Sequence, residues 1–239
     1  MSKNTKSFLN PIEHEFTLRH PGVRCFSISY IKENYHDDLF IEYNIDIPQT
    51  LNNAVTKRRA EFIAGRYCAS NVLMLLGCEE TKVAVSPERA PVWPAGVLGS
   101  ISHTDNFAIA VAGFSSKLTY IGIDIEIRQP KIFVDMANEF TSTGEQGYFS
   151  SLSLDYDVAL LIAFSAKESL FKALWPTIKY FFDFSYAEII DINEKLGKFS
   201  LRLTKSLTRN ITAGTVFDGR YYYYQQSNHK NSIITFIAK

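Results

Sequence analysis

Apolar positions recur with helical period over residues 53–76 (NAVTKRRAEFIAGRYCASNVLMLL), where Phe62, Gly65, Ala69, Val72, Leu73 and Leu76 share a face. Asn53 is placed to cap that helix. Residues 22–32 (GVRCFSISYIK) alternate as a strand does. Residues 85–99 (VSPERAPVWPAGVLG) hold three prolines and two glycines and read as a loop. Two strands follow at 107–112 (FAIAVA) and 118–127 (LTYIGIDIEI), and the short Gly/Ser link between them predicts a hairpin. The second half repeats the order loosely. A helix spans 156–175 (YDVALLIAFSAKESLFKALW) and is expected to stop at Pro176. Hairpins are expected at 186–203, turning at Glu194–Gly197, and at 215–237. The pattern predicts an α+β fold of two similar halves, 1–115 and 116–239, each a long helix with antiparallel strands.

Length and composition narrow this picture without changing it. The chain has 239 residues, 46% apolar and 21% charged, enough for a sizeable core. Lys+Arg and Asp+Glu are both 25, a balance that argues against coating nucleic acid by bulk charge. Three cysteines (Cys25, Cys68, Cys78) form no C-x-x-C pair, so neither a disulfide framework nor a zinc ribbon is expected. Residues 1–20 lack a secretory apolar core, and no apolar run is long enough to span a bilayer. A reduced, cytoplasmic protein is expected.

Four segments can carry chemistry. In Tyr120–Arg128 (YIGIDIEIR) the isoleucines take one face of a strand, and Gly122, Asp124, Glu126 and Arg128 the other. The two carboxylates then lie roughly 6.5–7 Å apart at Cα. Like charges that close call for a cation, and oxygen ligands suit Mg²⁺. Gly122 would clear room for a ligand, although a solvated strand face explains the same alternation. In Phe164–Lys172 (FSAKESLFK), Glu168 and Lys172 share a helix face with Lys167 beside them, a spacing equally common in surface ion pairs. Gly99–Asn106 (GSISHTDN) reads as a loop on which Ser102 and His103 can hold an anion or simply bond locally. Lys57-Arg58-Arg59 with Arg66 on the first helix reads as a phosphate site or a solvated basic turn, and Arg89 can join it or stand apart. The five histidines are His14, His20, His36, His103 and His229, no two at metal-ligand spacing.

In this order and spacing, KRRAEFIAGRYCAS (57–70), APVWPAGVLGSISHTDN (90–106), GIDIE (122–126) and FSAKESLFK (164–172) resemble the phosphopantetheinyl transferases of the larger, pseudodimeric class. The W-P…G-S-I-S-H segment and the A-E-F-I-A-G-R helix further resemble the siderophore-assembly branch of that family. The resemblance implies two α+β halves related by a pseudo-twofold, with coenzyme A and Mg²⁺ in the cleft between them. It implies transfer of 4′-phosphopantetheine from coenzyme A to a serine of an acyl, peptidyl or aryl carrier domain, releasing adenosine 3′,5′-bisphosphate. Asp124, Glu126 and Glu168 match the metal ligands, and Lys167 and Lys172 the flanking basic positions. Glu168 is the implied proton acceptor, its competing role being a ligand alone. Arg58, Arg66, Ser102 and His103 match contacts to the nucleotide end of coenzyme A, with Arg59 and Arg89 as less certain neighbours. Ile125 departs from members with a polar residue between the two carboxylates, so water must fill that coordination position.

A chain holding both halves of a shared cleft is expected to act as a monomer. A Mg²⁺-dependent phosphodiesterase would also want three carboxylates, and an idle coenzyme A or carrier-binding protein is a second rival. Pro130–Gln146, with Lys131, Ile132, Phe133, Val134 and Met136, is the natural candidate for carrier docking, although core packing explains the same residues equally well.

Overall fold

The computed structural model describes residues 7–10, 16–225 and 231–239. His14 and His229 lie outside the described residues. The chain forms two compact units, Met1–Thr119 and Tyr120–Lys239. Among the described residues no helix is long and apolar enough to cross a membrane, and all three cysteines are free thiols.

The first unit contains β1 (Leu9–Asn10), β2 (Val23–Tyr30), α1 (Leu39–Glu42), α2 (Thr56–Leu76), β3 (Ala84–Val85), β4 (Pro91–Val92), β5 (Val97–His103) and β6 (Phe107–Phe114). Its main sheet is antiparallel in the order β1-β2-β6-β5, and α2 lies across β6, β2 and β5. Ala60, Ile63, Ala64, Cys68, Val72 and Leu73 of α2 are fully buried against it. The expected Asn53 cap is not used. The helix begins at Thr56 with Val55 in the capping position, because residues 51–54 close a turn from Ala54 N–H to the Leu51 carbonyl. At the other end Gly77 takes the left-handed conformation (φ +78°) that a helix C-terminus favours.

The second unit contains β7 (Ile121–Ile127), α3 (Pro130–Asp135), α4 (Ala137–Phe140), α5 (Thr143–Phe149), α6 (Tyr156–Ile178), β8 (Ala187–Asn193), β9 (Lys198–Leu203), β10 (Val216–Gln225) and β11 (Asn231–Ala238). Its antiparallel sheet has the order β7-β11-β10-β9-β8, and α6 lies across β7 and β11. The turn at Glu194–Gly197 is present, with Gly197 at φ +59°. Helix α6 runs through Pro176 rather than stopping there. Proline removes one N–H from the last turn only, and the helix ends two residues later at Ile178, followed by Lys179 in the left-handed conformation.

Two strand expectations need correction. Residues 107–112 and 118–127 form no hairpin: β6 pairs with β2 and β5, and β7 pairs with β11. The Gly/Ser link instead carries the chain from one sheet to the other, each strand completing its ladder inside its own unit. The loop expected at 99–106 is a strand as far as His103, because β5 forms the hairpin with β6 through Thr104–Asn106. Its small polar residues hid it: Ser100 and Ser102 are both buried.

Candidate active site

The polar face of β7 points at α6 and is not solvated. Asp124 is 3% exposed. A Cβ built on Gly122 would stand 2.0 Å from the Ser169 carbonyl oxygen and 2.9 Å from Ala173 Cβ. Gly122 therefore makes room for the helix and not for a ligand, and that approach draws α6 onto the strand. The residues α6 presents there are Ser165, Glu168, Ser169, Lys172 and Ala173, spaced as one helical face.

Lys172 Nζ donates to Asp124 Oδ1 at 2.6 Å, and Ser165 Oγ donates to Asp124 Oδ2 at 2.8 Å. Burial first, then the charges of Asp124 and Glu168, push the Glu126 carboxyl up to about 8, opposed by the Lys172 ammonium. Glu168 is raised by burial and by Asp124, again opposed by Lys172. Burial and neighbouring negative charge thus raise both Glu126 and Glu168 beside one ammonium. Among the described residues no three acidic, His or Cys side chains are gathered as a ready-made metal cluster. The donor set, all carboxylate oxygen with more negative than positive charge, suits a hard divalent cation.

Lys167 does not join this group. Its ammonium is buried, 2.9 Å from Glu145 Oε1 and 2.7 Å from the Phe140 carbonyl. Glu145 also accepts from the Ser142 and Ile189 N–H groups, completing a capping box at the start of α5 and tying it to β8. Arg128, at the end of β7, grips Asp157 through two nitrogens (2.6 and 2.8 Å) and Asp155 at 2.8 Å. Strand and helix are thereby pinned at the end of α6 opposite Lys172.

In the first unit a second polar group forms between α2 and β5. Arg58 Nη1 lies 3.1 Å from His103 Nε2. A guanidinium only donates, so Nε2 accepts and the ring proton sits on Nδ1, which faces Glu61 Oε2 at 3.9 Å. Glu61 is nearly buried, 3.5 Å from Arg58 and 3.9 Å from Lys57; burial raises its carboxyl above the usual range. Lys57 also pairs with Asp105 at 2.6 Å. Arg66 stacks over Phe62 and donates to the Ala84 carbonyl; burial, then the charge of Arg58, lowers it to about 10.

Comparison with known proteins gives the chain a family. Residues 47–113 match the 4′-phosphopantetheinyl transferase N-terminal domain family, and residues 120–229 the 4′-phosphopantetheinyl transferase superfamily. The chain is 30% identical over 226 residues to enterobactin synthase component D of Salmonella typhi, covering 93% of this chain and 89% of that one. The chain belongs to the 4′-phosphopantetheinyl transferase superfamily. It is also 33% identical over 143 residues to the 4′-phosphopantetheinyl transferase Npt of Nocardia iowensis, 57% of this chain and 60% of that one. With PptT of Mycobacterium tuberculosis, also named a 4′-phosphopantetheinyl transferase, it shares 31% over 146 residues, 60% and 63% of the two chains.

Within this transferase the structure sorts the expected residues. It brings together Asp124, Glu126, Glu168 and Lys172 in one unit, and Arg58 with His103 in the other. Ser102 follows the alternation of β5 to the face opposite His103. Arg59 is drawn off to Asp37 at 2.8 Å and the Asn52 carbonyl. Arg89 stands exposed at the β3–β4 turn with φ +68°. Sequence reasoning missed Glu61, whose signal was its i+3 and i+4 spacing from Arg58 and Lys57. It also missed Ser165, inside a recognised motif, and Thr235, which only the register of β11 against β7 connects to the site.

Proposed function

We propose that the chain transfers 4′-phosphopantetheine from coenzyme A to a serine of a carrier domain in a Mg²⁺-dependent reaction. The observation that carries this is the set of carboxylates Asp124, Glu126 and Glu168 gathered with Lys172 on β7 and α6 of a member of the superfamily. The serine hydroxyl attacks the phosphorus bearing the pantetheine, the P–O bond to the adenosine 3′,5′-bisphosphate breaks, and the serine proton is taken up. Asp124, Glu126 and Glu168 are the residues that hold Mg²⁺, which supplies charge neutralisation at the pyrophosphate when bound.

Glu168 is the group assigned to take the serine proton, directly or through water. Burial raises its carboxyl above the usual carboxylate range. Lys172 is assigned the charge growing on the departing bisphosphate. Arg58 and Arg66, with His103 oriented by Glu61, hold phosphate at the nucleotide end. The kinship with enterobactin synthase component D supports a peptidyl or aryl carrier of siderophore assembly as acceptor, for a monomeric, cytoplasmic enzyme.

The test is incubation with coenzyme A, Mg²⁺ and apo carrier domains, read by intact mass. Modification of the carrier by the phosphopantetheine mass is expected with wild type and not with Asp124→Ala or Glu168→Ala. Full transfer by either variant at ordinary Mg²⁺ defeats the metal assignment.

A further inference from the structure

Asp124 is held by more than its ammonium partner. Behind it lies a chain of three hydroxyls, all completely buried. Ser165 Oγ is 2.8 Å from Asp124 Oδ2, Thr235 Oγ1 is 2.9 Å from Ser165 Oγ, and Ser169 Oγ is 2.7 Å from Thr235 Oγ1. A carboxylate oxygen only accepts, and a hydroxyl has one proton to give. Ser165 therefore donates to Asp124 and Thr235 to Ser165. The single proton of Ser169 is shared between Thr235 Oγ1 at 2.7 Å and the Thr235 carbonyl at 3.1 Å, closing the far end of the chain.

The three hydroxyls come from separate places. Ser165 and Ser169 are one turn apart on α6, and Thr235 is the register partner of Asp124 on β11. Apolar residues of the same shape would pack such a position at little or no loss of stability. A fully buried chain of three hydroxyls that ends on one carboxylate oxygen thus points to a task for that carboxylate. With Oδ2 fixed, Oδ1 is aimed at Lys172.

We propose that Ser165, backed by Thr235, is a positioning residue that holds Asp124 in the orientation needed to ligate the divalent cation. The inference rests on the metal reading above, and its test separates the two. Binding of Mn²⁺ to the full chain with coenzyme A present is followed by electron paramagnetic resonance, alongside thermal melting. The variants are Ser165→Ala, Thr235→Val, which keeps the shape and loses the hydroxyl, Thr235→Ser, which keeps the hydroxyl, and Asp124→Ala.

Ser165→Ala is expected to weaken Mn²⁺ about 10-fold or more, as loss of an orienting partner does at metal sites. Thr235→Val should weaken it in the same direction, and Thr235→Ser should stay within about twofold of wild type. Wild-type affinity in Ser165→Ala and Thr235→Val, with affinity lost in Asp124→Ala, overturns the positioning role and leaves the metal site standing. Equal weakening in Thr235→Val and Thr235→Ser assigns the effect to packing and also overturns it. Wild-type affinity in Asp124→Ala overturns both readings. If Ser165→Ala does not fold, the two Thr235 variants decide the matter alone.

Discussion

Burial, the Asp124 charge and Glu168 together lift Glu126 from the ordinary 4.5 to about 8, despite Lys172. In the metal-free protein the folded chain therefore keeps a proton on Glu126 that the unfolded chain has released. Between about pH 4.5 and 8 the native state binds more protons, so this group's contribution to stability falls as pH rises. Urea titrations in EDTA should show it, and Glu126→Gln should be the more stable protein at pH 8 by about 1–3 kcal/mol, with little difference at pH 4.5. Saturating Mg²⁺ with coenzyme A should reverse that ranking. An unchanged ranking would show that Glu126 gains nothing from the metal.

Lys167 poses the opposite case, a residue inside the motif whose charge is spent on the fold. Its side chain and that of Glu145 are each 3% exposed. Burial lowers the Lys167 ammonium, partly restored by Glu145. Glu145 cannot leave, because it also accepts from Ser142 and Ile189. Lys167→Met should then cost about 3–5 kcal/mol by stranding a buried carboxylate, while kcat of the folded fraction stays within about twofold of wild type. A collapse of kcat at unchanged stability would return Lys167 to the chemistry.

At the scale of elements, the face of β7 was legible and its direction was not. Alternation placed Gly122, Asp124 and Glu126 together, as found, but period two says nothing about which layer covers a face. The covering layer is α6, and its approach at Gly122 depends on a helix some 40 residues later. Gly122→Ala must displace backbone, since its Cβ would meet the Ser169 carbonyl oxygen. The expected loss is about 3 kcal/mol or more by chemical denaturation, together with weaker Mn²⁺ binding as Asp124 and Glu168 separate. The long helices and the 186–203 hairpin were legible for the opposite reason, since period and turn are local. The pairing of β7 with β11 was not, because it joins strands about 110 residues apart. The hydroxyls of Ser165 and Thr235 stayed hidden with it.

At the scale of the molecule, net charge is zero, so steering of a carrier domain depends on how charge is distributed over the surface and not on its sum. The segment after β7 offers a candidate docking surface, although not quite as the sequence suggests. Phe133 is buried against Phe140 and Phe164 and belongs to the core. Ile132, Val134 and Met136 flank it and remain 46%, 45% and 43% exposed. Lys131 adds a positive charge suited to an acidic helix. Phe133 thus acts as the anchor that keeps the exposed trio in place, a few residues from Glu126 in the chain. Changing Phe133 would test folding; changing Lys131→Glu with Ile132→Ser and Met136→Ser tests docking. That triple variant should raise KM for the carrier about 10-fold or more while KM for coenzyme A stays near wild type, since only uniform carrier binding is removed. Measured as kcat/KM, a siderophore-type carrier domain should also exceed the fatty-acid carrier protein on the wild-type enzyme. Equal efficiency on the two carriers would remove the siderophore preference. An unchanged carrier KM in the triple variant would move the docking face elsewhere and leave the carboxylate site as it stands.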